Sequence, residues 1–201
     1  MRVTLLKKNP SVYSCNVYFV RGNWNAIDDV NTLIDTGTNA FVMYEIEDMV
    51  STGVGKRKIE QIILTHEHFD HAGGLKYILE KKYKPEVIAY SNIPGVTRRA
   101  YDNMHLKVGD RICKILHTPG HSHDSICIYC PDDKILFSGD TALKIQTPGG
   151  SYSREYVEAL KRLADLNVES IYSGHDDPVL SDGWKIIENT LNNVLKSKII
   201  D

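Results

Sequence analysis

The stretch Leu64-Thr65-His66-Glu67-His68-Phe69-Asp70-His71-Ala72-Gly73-Gly74 decides how this chain is read. Three imidazoles and two carboxylates fall within the six positions from His66 to His71. Imidazole suits zinc, iron and other first-row metals, and a carboxylate adds a hard anionic ligand. The apolar run over residues 61–65 reads as a strand, and a helical pattern follows over residues 74–82. If the chain leaves the strand extended, His66 and His68 point the same way. Asp70 and His71 then lie on the turn into the helix, so one short loop can serve two neighbouring metals. Gly73 and Gly74 lack the Cβ that would hold the helix start away from its neighbours.

Outward from this block, four segments share one form, a hydrophobic strand ending in a His or Asp next to glycine. They are Leu33-Ile34-Asp35-Thr36-Gly37, Ile115-Leu116-His117-Thr118-Pro119-Gly120-His121, Ile135-Leu136-Phe137-Ser138-Gly139-Asp140 and Ile171-Tyr172-Ser173-Gly174-His175. Ligands just beyond strand ends can converge on one rim of a sheet, where open α/β sheets commonly bind. Taken singly, Asp70 also reads as a helix N-cap, Asp35 and Asp140 as turn residues, and His66 or His68 as surface histidines. His105, His117 and His123 are read as structural.

Together these motifs resemble the metallo-β-lactamase superfamily, whose hallmark T-H-x-H-x-D-H is followed by separate His, Asp and His motifs. The resemblance runs from Asp35 to His175. It implies one metal site at His66, His68 and His121, and another at Asp70, His71 and His175, with Asp140 bridging. Asp70 and Asp140 are the implied catalytic carboxylates, and Asp35 is expected behind the ligands, orienting a histidine. The implied cofactors are two divalent ions, zinc foremost, with iron or manganese as alternatives. The implied reaction is attack on an ester, thioester or lactone carbonyl by a hydroxide bridging the metals. Ser122 and Ser125 flank His123 and Asp124, but no serine triad is read there.

Within the superfamily, Asp140 stands where true β-lactamases usually carry Cys or Ser. His68 stands where flavodiiron proteins usually carry Glu. The set is most similar to glyoxalase-II-like hydrolases and to quorum-quenching lactonases. It departs from the former in having no Arg over residues 141–151 and a single helix after His175, and from the latter in Leu143, where a Tyr is usual. Leu143, Ile145 and Tyr152 are candidates both for pocket lining and for core. Alternative readings are a persulfide dioxygenase with one non-haem iron on His66, His121 and Asp140, and a minimal phosphodiesterase.

Around these motifs, strands are predicted over residues 2–7, 16–21, 32–34, 61–65, 87–90, 111–116, 125–130, 135–138 and 170–173. Helices are predicted over 41–49, 74–82, 154–164 and 184–195, with Ser153 and Asp182 as N-caps of the last two. Strand–helix units in both halves predict an α+β fold, an αββα sandwich of two mixed sheets with helices outside, as one domain over residues 1–201. The 201 residues are 42% hydrophobic and 25% charged, with a net charge of −2. That balance implies neither a basic nucleic-acid-binding surface nor an acidic tail, no apolar run approaches the length of a membrane span, and the resemblance implies a small-molecule substrate. Residues 1–14 lack the apolar middle of a signal peptide, so a cytoplasmic location is expected. Cys15, Cys113, Cys127 and Cys130 suggest no disulfide framework. Cys127 and Cys130 lie three apart on an alternating strand, on opposite faces, and read as packed strand residues.

Overall fold

Alternation along the strands sets the layers of this protein. The computed structural model describes residues 1–24, 26–48, 57–81 and 83–201. The first half holds β1 (Arg2–Leu5), β2 (Tyr18–Arg21), β3 (Thr32–Ile34), α1 (Phe41–Asp48), β4 (Gln61–Ile63), α2 (Phe69–Ala72), α3 (Leu75–Leu79), β5 (Glu86–Ala89) and β6 (Arg98–Arg99). The second holds β7 (His105–Val108), β8 (Arg111–His117), β9 (Ile126–Cys130), β10 (Ile135–Gly139), β11 (Ser151–Ser153), α4 (Arg154–Ala164), β12 (Ser170–Ser173), α5 (Gly183–Leu195) and β13 (Lys198–Ile200).

One sheet runs in the order β1-β2-β3-β4-β5-β6, the other β12-β10-β9-β8-β7, and β11 pairs with β13. Both large sheets are mixed. β3, β4 and β5 are parallel neighbours, as are β10 and β12, while β1–β2, β7–β8, β8–β9 and β9–β10 are antiparallel. The parallel steps need long crossovers, which α1, α2–α3 and α4 supply.

Odd and even strand residues enter different cores. Ile63 of β4 and Ile126, Ile128 and Cys130 of β9 meet between the sheets, with Tyr18, Ile34 and Phe137. Ile62 faces the other way, onto Val42 and Ile46 of α1 and Leu75 and Ile78 of α3. Cys127, Tyr129 and Leu136 face Leu160 and Leu163 of α4 and Ile187 and Val194 of α5. Each such fully buried Ile or Leu contributes roughly 1.5–3 kcal/mol. The result is helix, sheet, sheet, helix, the sandwich expected from the pattern.

Several local expectations are corrected. Cys113 and Cys130 form a disulfide. They are directly opposed on β8 and β9, in line with Lys114 opposite Tyr129, so strand register joins them although their spacing in sequence is uninformative. Cys127 and Cys130 do lie on opposite faces. Ser153 caps α4, its hydroxyl accepting from Tyr156 N at 3.2 Å. Asp182 occupies the cap position of α5 but does not cap it with its side chain. Its backbone is left-handed (φ 58°), and its carboxylate pairs with Lys185 at 3.0 Å instead. The predicted strand over 61–65 ends at Ile63, and the helix predicted over 74–82 is preceded by the separate turn α2. The short strands β6, β7, β11 and β13 are not among those expected from the sequence. Met49 and Lys82, at the ends of two predicted helices, lie outside the described residues. Among the described residues no helix is long and apolar enough to cross a membrane.

Candidate metal centre

The site forms where the chain leaves parallel strands. Asp35 follows β3, His66 follows β4, His121 follows β8, Asp140 follows β10 and His175 follows β12. Two antiparallel steps make β8 run with β10 and β12, so these loops emerge on one rim. The loop holding His175 is pinned from the first sheet. Asn16 Nδ2 donates to the Ser173 and Asp176 carbonyls, at 2.9 and 2.8 Å, and Tyr18 donates to Ser173 at 2.7 Å.

The predicted donors converge. Those of His66, His68 and His121 lie within 4.8 Å of one another, as do those of Asp70, His71 and His175, and those of His66, His71 and Asp140. Nε2 of His121 is 3.0 Å from Nδ1 of His68. Asp140 sits between the two trios. Its Oδ2 is 3.5 Å from His121 Nε2 and 3.3 Å from His175 Nε2, and its Oδ1 is 3.2 Å from His71 Nε2. Asp70 Oδ2 is 3.1 Å from His175 Nε2.

Asp35 lies behind the donors, buried and in a left-handed backbone conformation (φ 59°). Its Oδ2 accepts from His71 Nδ1 at 2.8 Å, and its Oδ1 accepts from Thr65 N at 2.7 Å. Thr65 Oγ1 also donates to Asp35 and lies 3.1 Å from His66 Nδ1. The Nδ1 atoms of His66 and His71 are thus engaged from behind. Among the described residues, buried His66 Nε2 has no hydrogen-bond partner, while buried His71 Nε2 and Asp140 Oδ1 face each other at 3.2 Å and meet no further hydrogen-bond partner. A buried polar atom without a partner costs on the order of 1–3 kcal/mol. Nitrogen and carboxylate oxygen in this mixture match the donor chemistry of zinc, iron and manganese, so the residues fit metal ions.

Burial and neighbouring charges shift the titratable groups of the site in different directions. Burial, together with the neighbouring His71, pushes the His66 imidazole down to about 4, so its lone pair is free at neutral pH. Burial also lowers His121. Burial alone would depress His71, but Asp35 and Asp140 outweigh it and raise it. Burial opposes ionisation of Asp140, yet its contact with His71 holds its carboxyl at about 2.

Two clefts open beside Asp140 and His121. One, of about 320 Å³, is bordered by Ala142, Leu143, Lys144 and Ile145. The other, of about 410 Å³, is bordered by Tyr152, Tyr156 and Ile200. Leu143 and Tyr152 therefore serve both as core and as cleft wall. His117 stands apart, stacked on Tyr90 at 4.0 Å with Nε2 on the His123 carbonyl at 2.8 Å. His105 and His123 are exposed, and Ser122 bonds to Asp124 and Ser125 in a local turn.

Sequence reasoning missed Tyr13, Cys15 and Thr65. Tyr13 stacks on His175 with ring centroids 5.0 Å apart. Cys15 lies beneath the site with Asp35 and His71, and burial pushes its thiol up to about 11. Thr65 belongs to the dense block, but nothing in its type or spacing marks its task. The loop bearing Tyr13 and Cys15 reaches the site through tertiary contacts, Cys15 N donating to Asp70 O at 3.2 Å, and spacing carries no trace of that.

The sequence model of the metallo-beta-lactamase superfamily matches residues 10–110 and 104–175. A Caenorhabditis elegans protein described as beta-lactamase-like protein 2 homolog is 30% identical over 168 residues, 78% of this chain and 54% of its own length. A hydroxyacylglutathione hydrolase of Rhizobium etli is 32% identical over 149 residues, 70% of this chain and 57% of its own. The chain therefore spans little more than half the length of these relatives. Among solved structures, a metallo-beta-lactamase family protein of Thermus thermophilus has a TM-score of 0.67 at 21% identity, covering 96% of this chain and 78% of that one. Motif order, the αββα sandwich and the superfamily match agree: the chain belongs to the metallo-beta-lactamase superfamily.

Proposed function

We propose that this chain is a two-metal hydrolase of ester, thioester or lactone carbonyls in a small-molecule substrate. The observation that carries the reading is the position of Asp140, whose carboxylate reaches His71, His121 and His175 at once. His66, His68 and His121 would hold one cation, Asp70, His71 and His175 the other, and Asp140 both. Two divalent cations, zinc foremost, would supply a nucleophile from water near neutral pH and polarise the carbonyl oxygen.

The protein's own part is to orient and to exclude. Asp35 and Thr65 fix the faces of His71 and His66, so that their Nε2 atoms are presented without a search over rotamers. Asp70, its Oδ2 3.1 Å from His175 Nε2, would take up a proton from the attacking water. The clefts flanking Asp140 would take the two arms of the substrate on either side of the scissile bond. Neither Ser122 nor Ser125 hydrogen-bonds to a histidine among the described residues, so no covalent route through them is read. The likeness to a hydroxyacylglutathione hydrolase supports a carbonyl substrate.

The test is metal content per chain by elemental mass spectrometry, beside turnover of a thioester, a lactone and bis(p-nitrophenyl) phosphate. Two ions per chain with carbonyl turnover, lost in His121→Ala and Asp140→Ala variants that still fold, is the expected result. Full activity in His121→Ala would overturn the assignment. One iron per chain with oxygen consumption on a persulfide would replace it with the dioxygenase reading.

A further inference from the structure

The Tyr13 side chain projects over the centre from a loop that the superfamily motifs do not include. Its ring lies nearly parallel to that of His175, at 14°, and its hydroxyl is 3.3 Å from His175 Nε2. That nitrogen also faces Asp70 Oδ2 at 3.1 Å and Asp140 Oδ2 at 3.3 Å. The phenol therefore stands at the junction of the second donor trio and the bridging carboxylate.

Two features make this placement more than a surface contact. First, the backbone on either side is anchored. The Tyr13 carbonyl accepts from Thr38 Oγ1, Ser14 Oγ accepts from Thr38 N at 3.2 Å, and Cys15 N donates to Asp70 O at 3.2 Å. Second, the hydroxyl's one hydrogen bond among the described residues goes to an atom that the hydrolase reading gives to a cation. When His175 Nε2 gives its lone pair to a cation, the phenol loses that acceptor. The ring stack still holds it at the mouth of the site, 66% exposed, with an O–H donor to spare.

We propose that Tyr13 is a catalytic residue whose phenol donates a hydrogen bond to the carbonyl oxygen as charge develops on it. The inference rests on the hydrolase reading. Water oxygen bonds to the carbonyl carbon, and the π pair moves onto the carbonyl oxygen, where the Tyr13 O–H meets it. The pair then returns, the bond to the leaving sulfur or oxygen breaks, and the leaving group departs with the bonding electrons. The proton lost by water ends on the leaving group. Tyr13 keeps its own proton throughout, so its contribution is a donor aimed at transition-state charge.

The experiment compares zinc-loaded wild type with Tyr13→Phe, which keeps the stacking ring and removes the hydroxyl. The substrate is S-phenyl thioacetate, and a second readout is the affinity for phenylboronic acid, which becomes tetrahedral on binding. Tyr13→Phe is expected to lower kcat about 10²-fold, the loss typical of one oxyanion donor. KM should stay within about twofold, since the bond strengthens in the transition state. Boronate affinity should fall with kcat, while acetate affinity and zinc per chain stay unchanged. Turnover and boronate affinity equal to wild type would overturn the role of Tyr13 alone. Loss of zinc from the variant would also overturn it, by showing that the phenol supports metal binding instead. No turnover of this thioester, a lactone or an ester by wild type would overturn both this inference and the hydrolase reading.

Discussion

The Asp35 carboxylate takes the Nδ1–H of His71 at 2.8 Å and leaves the opposite ring nitrogen facing Asp70 and Asp140, at 3.7 and 3.2 Å. One buried hydrogen bond thus chooses the tautomer and the face of a donor in the middle of the site. Asparagine at this position keeps an oxygen for Thr65 N and tolerates the left-handed backbone, but it turns an NH2 donor, not an acceptor, toward His71 Nδ1. Asp35→Asn should fold and lose affinity for metal held through His71 by about 10–100-fold. Competition against a chelator, with stoichiometry followed per chain, checks this. An unchanged affinity would remove Asp35 from the account.

Gly174 lets β12 come close enough for His175 to join Asp140 and His71. A Cβ there would stand 2.1 Å from Asp140 Oδ1 and 2.8 Å from His71 Cε1, and neither neighbour can move without leaving the cluster. Gly174→Ala should keep its circular dichroism spectrum and lose turnover by about 10²-fold, the cost of an ångström-scale misplacement. Retained activity would mean that the two carboxylate and imidazole groups shift without consequence.

The residues that converge at the candidate site were legible because their types and their places at strand ends stand out in the sequence. The strands that build the cores were legible for the same local reason, since Ile62 and Ile63 must face different layers whatever lies beyond them. Contacts made by folding were not legible. Tyr13 reaches His175 across 162 positions, and Cys113 meets Cys130 through register between β8 and β9. The short strands β6 and β11 have two and three residues, too few for alternation to show. Asp182 has the side chain of a cap, but the left-handed turn before α5 directs it to Lys185.

Metal removal should be visible in stability as well as in activity. Among the described residues His66 Nε2 is buried without a partner, and His71 Nε2 and Asp140 Oδ1 have within hydrogen-bond distance only their 3.2 Å contact with each other, so occupancy would satisfy atoms that folding otherwise leaves poorly paired. A ligand at about 100 times its Kd stabilises by about 2.7 kcal/mol. For a chain of this size that corresponds to a Tm rise of roughly 5–10 °C. Chelator-treated protein should melt lower by that amount and recover on adding zinc, in a scan by differential scanning calorimetry. A Tm indifferent to zinc would argue that these atoms bind none.

The Cys113–Cys130 bond makes a prediction that can be read without any substrate. Both sulfurs lie in the core between the sheets, while Cys15 and Cys127 are buried but unbonded. Denatured without reductant, the chain should therefore show two thiols to a thiol reagent, and four after reduction. The bond closes a loop of 17 residues, for which the chain-entropy relation gives roughly 3 kcal/mol. Reduced protein should melt below the oxidised form, and Cys113→Ala/Cys130→Ala should melt low with or without reductant. Because disulfides persist mainly in oxidising compartments, the thiol count also bears on where the protein works. Four thiols in protein never exposed to oxidant would place its working form in a reducing compartment, with β8 and β9 held by their ladder and the surrounding core alone.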